Sequence, residues 1–164
     1  MPATRADLFA RLEALHIETR TEAHEPVFTV AQSDALHARM AGAHTKNLFL
    51  KDKKGALVLL TAEAHTPIAL KGLHDLLGTG RLSFASPERL REHLGVEPGS
   101  VTPFAIINDE AGAVRVILDA RLRGADVINV HPLENTATTA IARDDLVRFI
   151  ESTGHVVTWI DLPA

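Results

Sequence analysis

Residues 46–61 read KNLFLKDKKGALVLLT, two apolar runs on either side of the polar turn Asp52-Lys53-Lys54-Gly55. Short apolar runs that flank a glycine-containing turn are typical of a β-hairpin. We therefore predict two paired strands, one over residues 46–51 and the other over residues 56–61. The fold then contains at least one antiparallel strand pair.

Helical and strand-like segments alternate irregularly around this hairpin. Leu8, Leu12 and Leu15 form the apolar stripe of a first helix, which begins at Thr4 with Asp7 as its capping-box partner. Further helices are expected to begin at Ser33, Pro67, Ser86 and Asp144, and strands are expected near residues 17–21, 127–130, 136–142 and 156–160. Residues 104–108 and 114–118 are expected to form a second hairpin. Hairpins without regular strand–helix–strand repeats favour an α+β fold with a mixed or antiparallel, barrel-like sheet.

The length and composition restrict the class of protein. The 164 residues fit one domain, spanning 1–164. The chain has no cysteine, which excludes a thiol nucleophile, a cysteine zinc site and disulfides. The amino terminus lacks the apolar region of a secretory signal, and no run approaches the roughly 18 apolar residues of a membrane span. We expect a soluble, cytoplasmic protein.

The charge is unevenly distributed. The net charge is −4, yet all five lysines fall between residues 46 and 71, where Asp52 and Glu63 are the only acids. This window therefore carries +3 and the rest of the chain −7. A local basic patch can hold a few phosphates of a nucleic acid, with marked sensitivity to salt. The alternative is that residues 51–55 form a solvated hairpin turn with no ligand.

Two polar segments interrupt apolar sequence, at residues 99–103 and 129–138. In Gly99-Ser100-Val101-Thr102-Pro103, the glycine permits a positive φ, and the proline favours an extended Thr102. Such a bend can direct several backbone N–H groups at a carbonyl oxygen or a developing oxyanion. The same sequence is also compatible with an ordinary turn, so this interpretation needs support from elsewhere in the chain.

Three further candidates have both functional and purely structural interpretations. His131 precedes Pro132 at a strand end, where it can bind a substrate amine, move a proton, or bond to a neighbouring carbonyl. The polar side chains after it are pocket donors or exposed strand residues: Asn135, Thr136, Thr138 and Thr139. Lys46 can polarise an ester carbonyl or anchor a terminal phosphate, or it can extend to solvent from a strand edge.

Other catalytic templates fit poorly. The nine histidines include no HExxH motif and no close HxH pair, and without cysteine a zinc site is not indicated. The chain has no GxSxG, Walker A or GxGxxG motif. With no tyrosine and 4% aromatic residues, a broad base-stacking platform is not expected.

Taken together, three segments resemble the YbaK/ProX superfamily of aminoacyl-tRNA editing domains, closest to its free-standing ProX type. They are Thr45-Lys46-Asn47 with the apolar run that follows, residues 99–105, and residues 131–138. The resemblance covers nearly the whole chain. It implies a mixed, largely antiparallel barrel-like sheet surrounded by helices, and hydrolysis of mischarged tRNA, above all Ala-tRNA(Pro), without metal or other cofactor.

The resemblance also assigns roles by motif. Lys46 matches the family's essential lysine near the ester, residues 99–103 match the GxxxP loop whose amides hold the carbonyl and orient water, and His131 matches the pocket histidine. The expected catalytic residues are thus Lys46, Gly99 and His131. The expected pocket residues are Ser100, Val101, Thr102, Pro103, Asn135 and Thr136. The 2′-hydroxyl of the terminal adenosine is expected to assist the water.

The partner expected from the resemblance is the acceptor end of a mischarged tRNA, with prolyl-tRNA synthetase as a second candidate and no membrane. By charge and proximity to the 46–61 hairpin, the expected tRNA contacts are Lys51, Lys53, Lys54 and Arg81. Three alternatives remain open: a deacylase for Cys-tRNA(Pro) or another aminoacyl-tRNA, a non-catalytic tRNA- or synthetase-binding module, and a metal-dependent hydrolase.

Overall fold

A computed structural model describes residues 1–26 and 30–163 as a mixed β-sheet with helices packed on it. The α-helices are Arg5–Ala14 (α1), Val30–Arg39 (α2), Leu70–Leu77 (α3), Pro87–Leu94 (α4) and Arg143–Ser152 (α5). The strands are Thr19–Ala23 (β1), Ala43–Lys51 (β2), Leu57–Glu63 (β3), Ser83–Phe84 (β4), Val114–Asp119 (β5), Val127–Val130 (β6), Ala137–Ala142 (β7) and Val157–Ile160 (β8). Two 3-10 helices span Pro103–Asn108 and Ala120–Gly124. Within the described residues, no helix has the length and apolar character needed to cross a membrane.

The sheet combines antiparallel and parallel pairs, as the α+β prediction requires. The strand order is β1-β7-β6-β2-β3-β5-β8, with β4 attached to β2. The pairs β1–β7, β6–β7, β2–β3 and β2–β4 are antiparallel, whereas β2–β6, β3–β5 and β5–β8 are parallel. The predicted fold class is therefore confirmed.

The hairpin of residues 46–61 is present as β2 and β3, with Leu50 opposite Val58. The side chain of Asp52 orders its turn, because one carboxylate oxygen accepts from the amides of Lys54 and Ala56 at 2.9 and 2.8 Å. The other oxygen accepts from the amide of Gly80 at 2.8 Å. These amide bonds, led by the one from Ala56, lower the pKa of the Asp52 carboxyl. The hairpin tip is therefore fixed to the chain segment before β4.

Strand β2 joins two parts of the sheet. One of its edges pairs with β3 from Thr45 to Lys51, while the other pairs with β6 at residues 43–44 and with β4 at residues 50–51. Between those two short ladders, the second edge of β2 has no strand partner among the described residues. This gap opens beside Lys46.

Alternation along the central strands divides the apolar residues between two cores. Phe49, Leu57 and Leu59 face a main core that also holds buried residues of α1, α4 and α5. Leu50 and Leu60 face a second core beneath α3. Strand β3 is buried from Leu57 to Ala62, since helices cover both faces of the sheet there.

The expected second hairpin is wrong. Residues 104–108 belong to the 3-10 helix Pro103–Asn108, and β5 pairs in parallel with β3 and β8. Pro103 stands at the first helical position, where its missing N–H is harmless, and the hydroxyl of Thr102 accepts from the amide of Phe104. An apolar run this short does not distinguish a strand from a buried helical segment.

The predicted helix starts are confirmed where a capping side chain accepts a hydrogen bond from an amide of the first turn. Thr4 caps α1 with Asp7 in a reciprocal capping box, and Ser86 caps α4. Two predicted starts shift: Ser33 lies inside α2 instead of capping it, and Pro67 precedes the first residue of α3 by three positions. The hydroxyl of Ser33 lies 3.2 Å from His37 Nε2, so this serine bonds to a side chain one turn later in the same helix.

Candidate functional site

A polar cavity of about 220 Å³ lies where α2 covers the meeting of β2, β6 and β7. Nine residues line it: Ser33, Leu36, His37, His44, Thr45, Asn129, Val130, His131 and Thr138. The lining contains no carboxylate, while histidine and asparagine supply hydrogen-bond acceptors. Leu36 and Val130 add apolar wall. The cavity therefore suits a small ligand with polar donors and a short apolar group.

Asn129, at 2% exposure, holds an unpaired acceptor in this wall. Its amide nitrogen donates to the carbonyl oxygens of Ala41 and Ala43 at 3.1 and 3.2 Å, which fixes the orientation of the side chain. The opposite atom, Oδ1, is then buried with no donor among the described residues. His44 Nε2 lies 3.4 Å from the amide nitrogen, but it donates to the carbonyl of Met40 at 2.8 Å, so those two donors do not bond.

An unpaired buried oxygen costs roughly 1–3 kcal/mol of stability. Such a cost is characteristic of positions where a ligand supplies the missing partner. Thr45 supports the same residue, since its hydroxyl donates to the backbone carbonyl of Asn129 at 2.8 Å. The oxygen of Asn129 is thus held in place to receive a donor.

His131 presents a second acceptor to the cavity. Its Nδ1 donates to the carbonyl of Ala137 at 3.0 Å, which leaves Nε2 without a proton and without a partner in the described chain. Burial lowers the pKa of His131, and the nearby His24 ring lowers it further against the opposing effect of the Ala137 bond. The imidazole is therefore neutral at physiological pH.

Other histidines surround the cavity without forming a metal site. His24 Nδ1 donates to the carbonyl of Glu25, and its Nε2 accepts from the hydroxyl of Thr138, both at 2.8 Å. His37 stacks on His44 with 3.9 Å between ring centroids. Burial, followed by repulsion from His44 and His65, lowers the pKa of His37. Within residues 1–26 and 30–163, no group of three or more potential ligands is arranged to hold a metal ion.

The glycine loop begins as a type II turn. Gly99 has φ +91°, and the amide of Ser100 donates to the carbonyl of Glu97 at 3.0 Å. Because the turn uses the Ser100 amide, and Thr102 accepts from Phe104, not every amide of the loop is available to a substrate. Among the described residues, the amides of Gly99, Val101 and Thr102 have no partner.

This loop lies against the segment that follows His131. A Cβ added at Gly99 would lie 3.6 Å from the side-chain nitrogen of Asn135. Ser100, Asn135 and Thr136 line a second, open cavity of about 420 Å³ together with residues from 95–98 and 133–134. Residues 129–138 therefore border both cavities, with His131 on one and Asn135 on the other.

Lys46 lies next to the first cavity without lining it. Its neighbours His44 and Thr45 both line that cavity, and alternation along β2 places Lys46 on the face of His44, Leu48 and Leu50. Its side chain is half-buried at the gap in the strand edge. Within the described chain, the amine forms no ion pair or hydrogen bond. Lys46, the loop and His131 therefore do not line one cavity: His131 lines the first, Ser100 of the loop lines the second, and Lys46 lies beside the first.

The predicted tRNA contacts share one region of the surface. Lys53 and Lys54 are exposed on the hairpin tip, and the carboxylate of Asp52 ties that tip to Gly80, next to Arg81. Arg81 also lines a shallow groove with Lys71. Lys51 pairs across to Ser83 on β4. Lys53, Lys54 and Lys71 of the basic window, together with Arg81, are called the basic face below, and Lys51 borders it from the other face of β2.

The sequence interpretation missed several cavity residues. Asn129 stands inside the polar segment 129–138, but its type and spacing do not distinguish it from a strand residue. His37 and His44 were equally unmarked, and Thr45 was quoted in a motif without a role in the pocket, because α2 and β2 meet β6 only in the folded chain. The signal that could have marked Asn129 is a polar residue in a strand whose other positions, Val127, Ile128 and Val130, are apolar.

Comparison with known proteins agrees with this architecture. The family model of the aminoacyl-tRNA editing domain matches residues 24–149. The prolyl-tRNA editing protein ProX of Acetoanaerobium sticklandii is 35% identical over 156 residues, which cover 94% of this chain and 95% of that protein. Prolyl-tRNA synthetase associated domain-containing protein 1 of Danio rerio is 40% identical over 153 residues, covering 92% and 83%.

A solved structure gives the same result for the fold. The crystal structure of a candidate trans-editing enzyme for prolyl tRNA synthetase matches with a TM-score of 0.74 at 21% identity, covering 100% of this chain and 99% of that one. At that identity the match supports the fold alone. The matched region, 24–149, contains the polar cavity, the glycine loop and the basic face.

Proposed function

The chain belongs to the aminoacyl-tRNA editing domain family, and we propose that it acts in trans to remove alanine wrongly attached to tRNA(Pro). It is an aminoacyl-tRNA deacylase, a hydrolase of the ester between an amino acid and the terminal ribose. The observation that carries the proposal is the pair of unpaired acceptors, Asn129 Oδ1 and His131 Nε2, in a small cavity without a carboxylate.

These two acceptors fit the α-ammonium group of an aminoacyl ester. An ammonium group has donors only, and a charge-assisted hydrogen bond is about twice as strong as a neutral one. Neutral histidine is required, since a charged imidazole would repel the ammonium. The lowered pKa values of His131 and His37 keep both rings uncharged beside this cation.

The cavity volume favours a small amino acid. A cavity of about 220 Å³ holds a small aminoacyl group, and Leu36 and Val130 supply apolar wall for the alanine methyl group. A synthetase site built for proline rejects a smaller amino acid poorly, because each missing methylene is worth roughly 1–3 kcal/mol. A second site that selects by small size complements the first. Serine and cysteine are the closest competitors in size, and Cys-tRNA(Pro) is the principal alternative substrate.

In the proposed reaction, a water oxygen bonds to the ester carbonyl carbon and the bond to the 3′-oxygen of the ribose breaks. One water proton passes to that 3′-oxygen, so the products are free amino acid and intact tRNA. No side chain that lines the cavity is a carboxylate, so the adjacent 2′-hydroxyl of the substrate orients the water. Lys46 and the free amides of Gly99 and Val101 are the donors for the developing oxyanion.

Lys46 reaches this reaction from across the strand edge. Its flexible four-carbon stem and unpaired amine allow the ammonium to approach the gap between the β4 and β6 ladders. The ester then lies at the gap, with the amino acid in the cavity and the RNA directed over the basic face. Prolyl-tRNA synthetase remains a candidate partner, and the cytoplasm is the proposed location.

A deacylation panel tests the function. Purified protein is incubated with Ala-, Ser-, Cys- and Pro-tRNA(Pro) and with Ala-tRNA(Ala), and the released amino acid is measured. The expected result is rapid release from Ala-tRNA(Pro) and slow or no release from Pro-tRNA(Pro). Faster release from Cys-tRNA(Pro) would assign the alternative substrate, and binding of tRNA with no release from any ester would indicate a non-catalytic module. Full activity in the presence of a chelator is expected and would remove the metal-dependent alternative.

A further inference from the structure

Phe84 is an exposed aromatic side chain with no apparent structural use. It is 62% exposed, although phenylalanine is normally buried. It belongs to β4, a strand of two residues that pairs with β2 through Leu50 opposite Phe84 and Lys51 opposite Ser83. Single exposed apolar residues are common, so exposure alone does not indicate a function.

The position of Phe84 relative to Lys46 is more informative. Directly opposite residues of an antiparallel pair share a face, so Phe84 lies on the face of Leu50. Alternation along β2 places Lys46 on that face too. Four residues of strand separate Lys46 from Leu50, which is about 13 Å at 3.3 Å per residue. An RNA strand whose terminal ribose lies beside Lys46 would therefore reach Phe84 with a preceding nucleotide.

Phe84 also lies near cations of the basic face along the chain. Arg81 precedes it by three residues, and the hairpin tip that carries Lys53 and Lys54 is held to Gly80 by Asp52. Val156, another exposed large apolar residue of the described chain, lies just before β8 and far along the chain from these cations. Cations with an aromatic ring among them are the combination that binds single-stranded nucleic acid, since phosphates pair with the cations and bases stack on the ring.

We propose that Phe84 is a stacking platform for one unpaired base of the single-stranded 3′ end of tRNA. This inference rests on the proposed function and adds a base contact to it. One ring suffices for one base, which agrees with a chain too poor in aromatics for a broad platform. The stacking is sequence-tolerant, because every base has a flat π-face.

The test compares Phe84→Leu with Phe84→Trp. Leucine keeps an apolar side chain but lacks a flat ring, whereas tryptophan keeps the ring, and both replace an exposed residue without disturbing a core. We expect Phe84→Leu to raise KM for Ala-tRNA(Pro) roughly ten-fold with kcat unchanged, and Phe84→Trp to retain or improve the wild-type value. The matched control, Val156→Ala, removes an exposed apolar group elsewhere and should leave KM unchanged.

Three results would overturn the inference. They are an unchanged KM for Phe84→Leu, a fall in its kcat as large as the rise in its KM, and a KM for Phe84→Trp as high as that of Phe84→Leu. If the wild-type protein released no amino acid from any tRNA, the proposed function would fail separately. The stacking contact would then be decided by fluorescence anisotropy with a labelled RNA hairpin carrying a four-nucleotide 3′ overhang. Equal affinity of the wild type and Phe84→Leu for that RNA would reject it.

Discussion

The polar cavity and the basic face lie on either side of the same strand, and they differ in almost every physical respect. The cavity is covered by α2, holds His37 and His131 with lowered pKa values, and offers acceptors. The basic face is exposed, carries permanent cations and offers donors. Hydrogen bonds in the cavity act over short range in a low dielectric, whereas the cations act over about 10 Å and are screened by salt.

This difference separates two tasks. A buried acceptor with one missing partner discriminates strongly, because a ligand that lacks the donor leaves it unpaired. An exposed cation attracts any phosphate backbone and discriminates weakly. We therefore expect changes in the cavity to alter which ester is hydrolysed, and changes on the basic face to alter how tightly tRNA binds.

The largest effect is expected for Lys46→Ala, since Lys46 lies where the cavity and the basic face meet. Loss of an oxyanion donor typically lowers kcat by about 10²–10³-fold. Single-turnover deacylation of Ala-tRNA(Pro) measures the change, with circular dichroism to confirm that the variant is folded. A folded Lys46→Ala protein with wild-type kcat would remove Lys46 from the chemistry.

The next largest effect is expected for Asn129→Ala in the cavity. Losing a hydrogen bond to a charged group lowers kcat/KM for the alanyl ester about 10- to 100-fold. The propionyl ester of the same tRNA lacks the α-ammonium group. The ratio of alanyl to propionyl hydrolysis should therefore fall together with kcat/KM for the alanyl ester. A structural defect alone would slow both esters equally and leave the ratio unchanged.

Thr45→Val is the matched control for Asn129. It removes the hydroxyl that donates to the Asn129 carbonyl but leaves the Oδ1 acceptor in place. We expect a loss of about 1 kcal/mol in the free energy of unfolding and an unchanged ratio between the two esters.

Gly99→Ala tests the turn that borders the second cavity. The φ of +91° is strained for alanine, so we expect about 1–2 kcal/mol of destabilisation and a roughly ten-fold fall in kcat from displaced amides. Gly112→Ala is the control, because Gly112 also has positive φ, +68°, and its added Cβ meets nothing within 4 Å. It should lose similar stability and keep full activity. Equal activity of both variants would make the 99–103 bend an ordinary turn.

A smaller and salt-dependent effect is expected on the basic face. The double variant Lys53→Ala, Lys54→Ala removes two exposed cations that contact no core residue. KM for Ala-tRNA(Pro) should rise about five-fold near 50 mM salt and converge with the wild type as salt increases. The ratio of alanyl to propionyl ester hydrolysis should stay unchanged. A change in that ratio would contradict the separation between the two regions.

The smallest effect is a pH dependence of stability that arises in the cavity. His131 has a lowered pKa when folded, so the unfolded chain binds its proton more readily. The resulting contribution to the free energy of unfolding is fully present above the unfolded-state pKa of about 6.5. It is lost progressively as pH falls through the folded-state pKa of His131. The thermal unfolding temperature of the wild type should fall over that pH range more than that of His131→Gln. Parallel curves would mean that the ring is not held neutral by its surroundings.

Local signals in the sequence were sufficient for much of the fold. The 46–61 hairpin, the Thr4–Asp7 capping box and the Ser86 cap depend on residues near one another in the chain, and all three are present. The 104–108 run failed because a buried 3-10 segment and a buried strand have the same apolar composition. The parallel pairing of β5 likewise depends on contacts that no local pattern specifies.

The candidate site was only partly accessible to sequence reasoning. His131, Lys46 and the 99–103 loop were found through their motifs, and their roles stay predictions. Asn129 becomes recognisable only in the folded chain, where its amide nitrogen donates to two carbonyl oxygens that lie 88 and 86 residues earlier in the sequence. Phe84 is an ordinary apolar residue in the sequence, and only the sheet places it, exposed, on the face of Leu50 and Lys46.

The shared strand β2 has a consequence for how errors are avoided. In the proposed complex, the part of the sheet with β6 and β7 contacts the amino acid and the part with β3 and β4 contacts the RNA; in the described chain, β2 joins these two parts. An ester is aligned at the β2 gap when both ends of the substrate are held at once. Free alanine engages one part and uncharged tRNA the other, so neither occupies both. The proposed binding mode therefore predicts that hydrolysis requires the wrong amino acid and the right nucleic acid together.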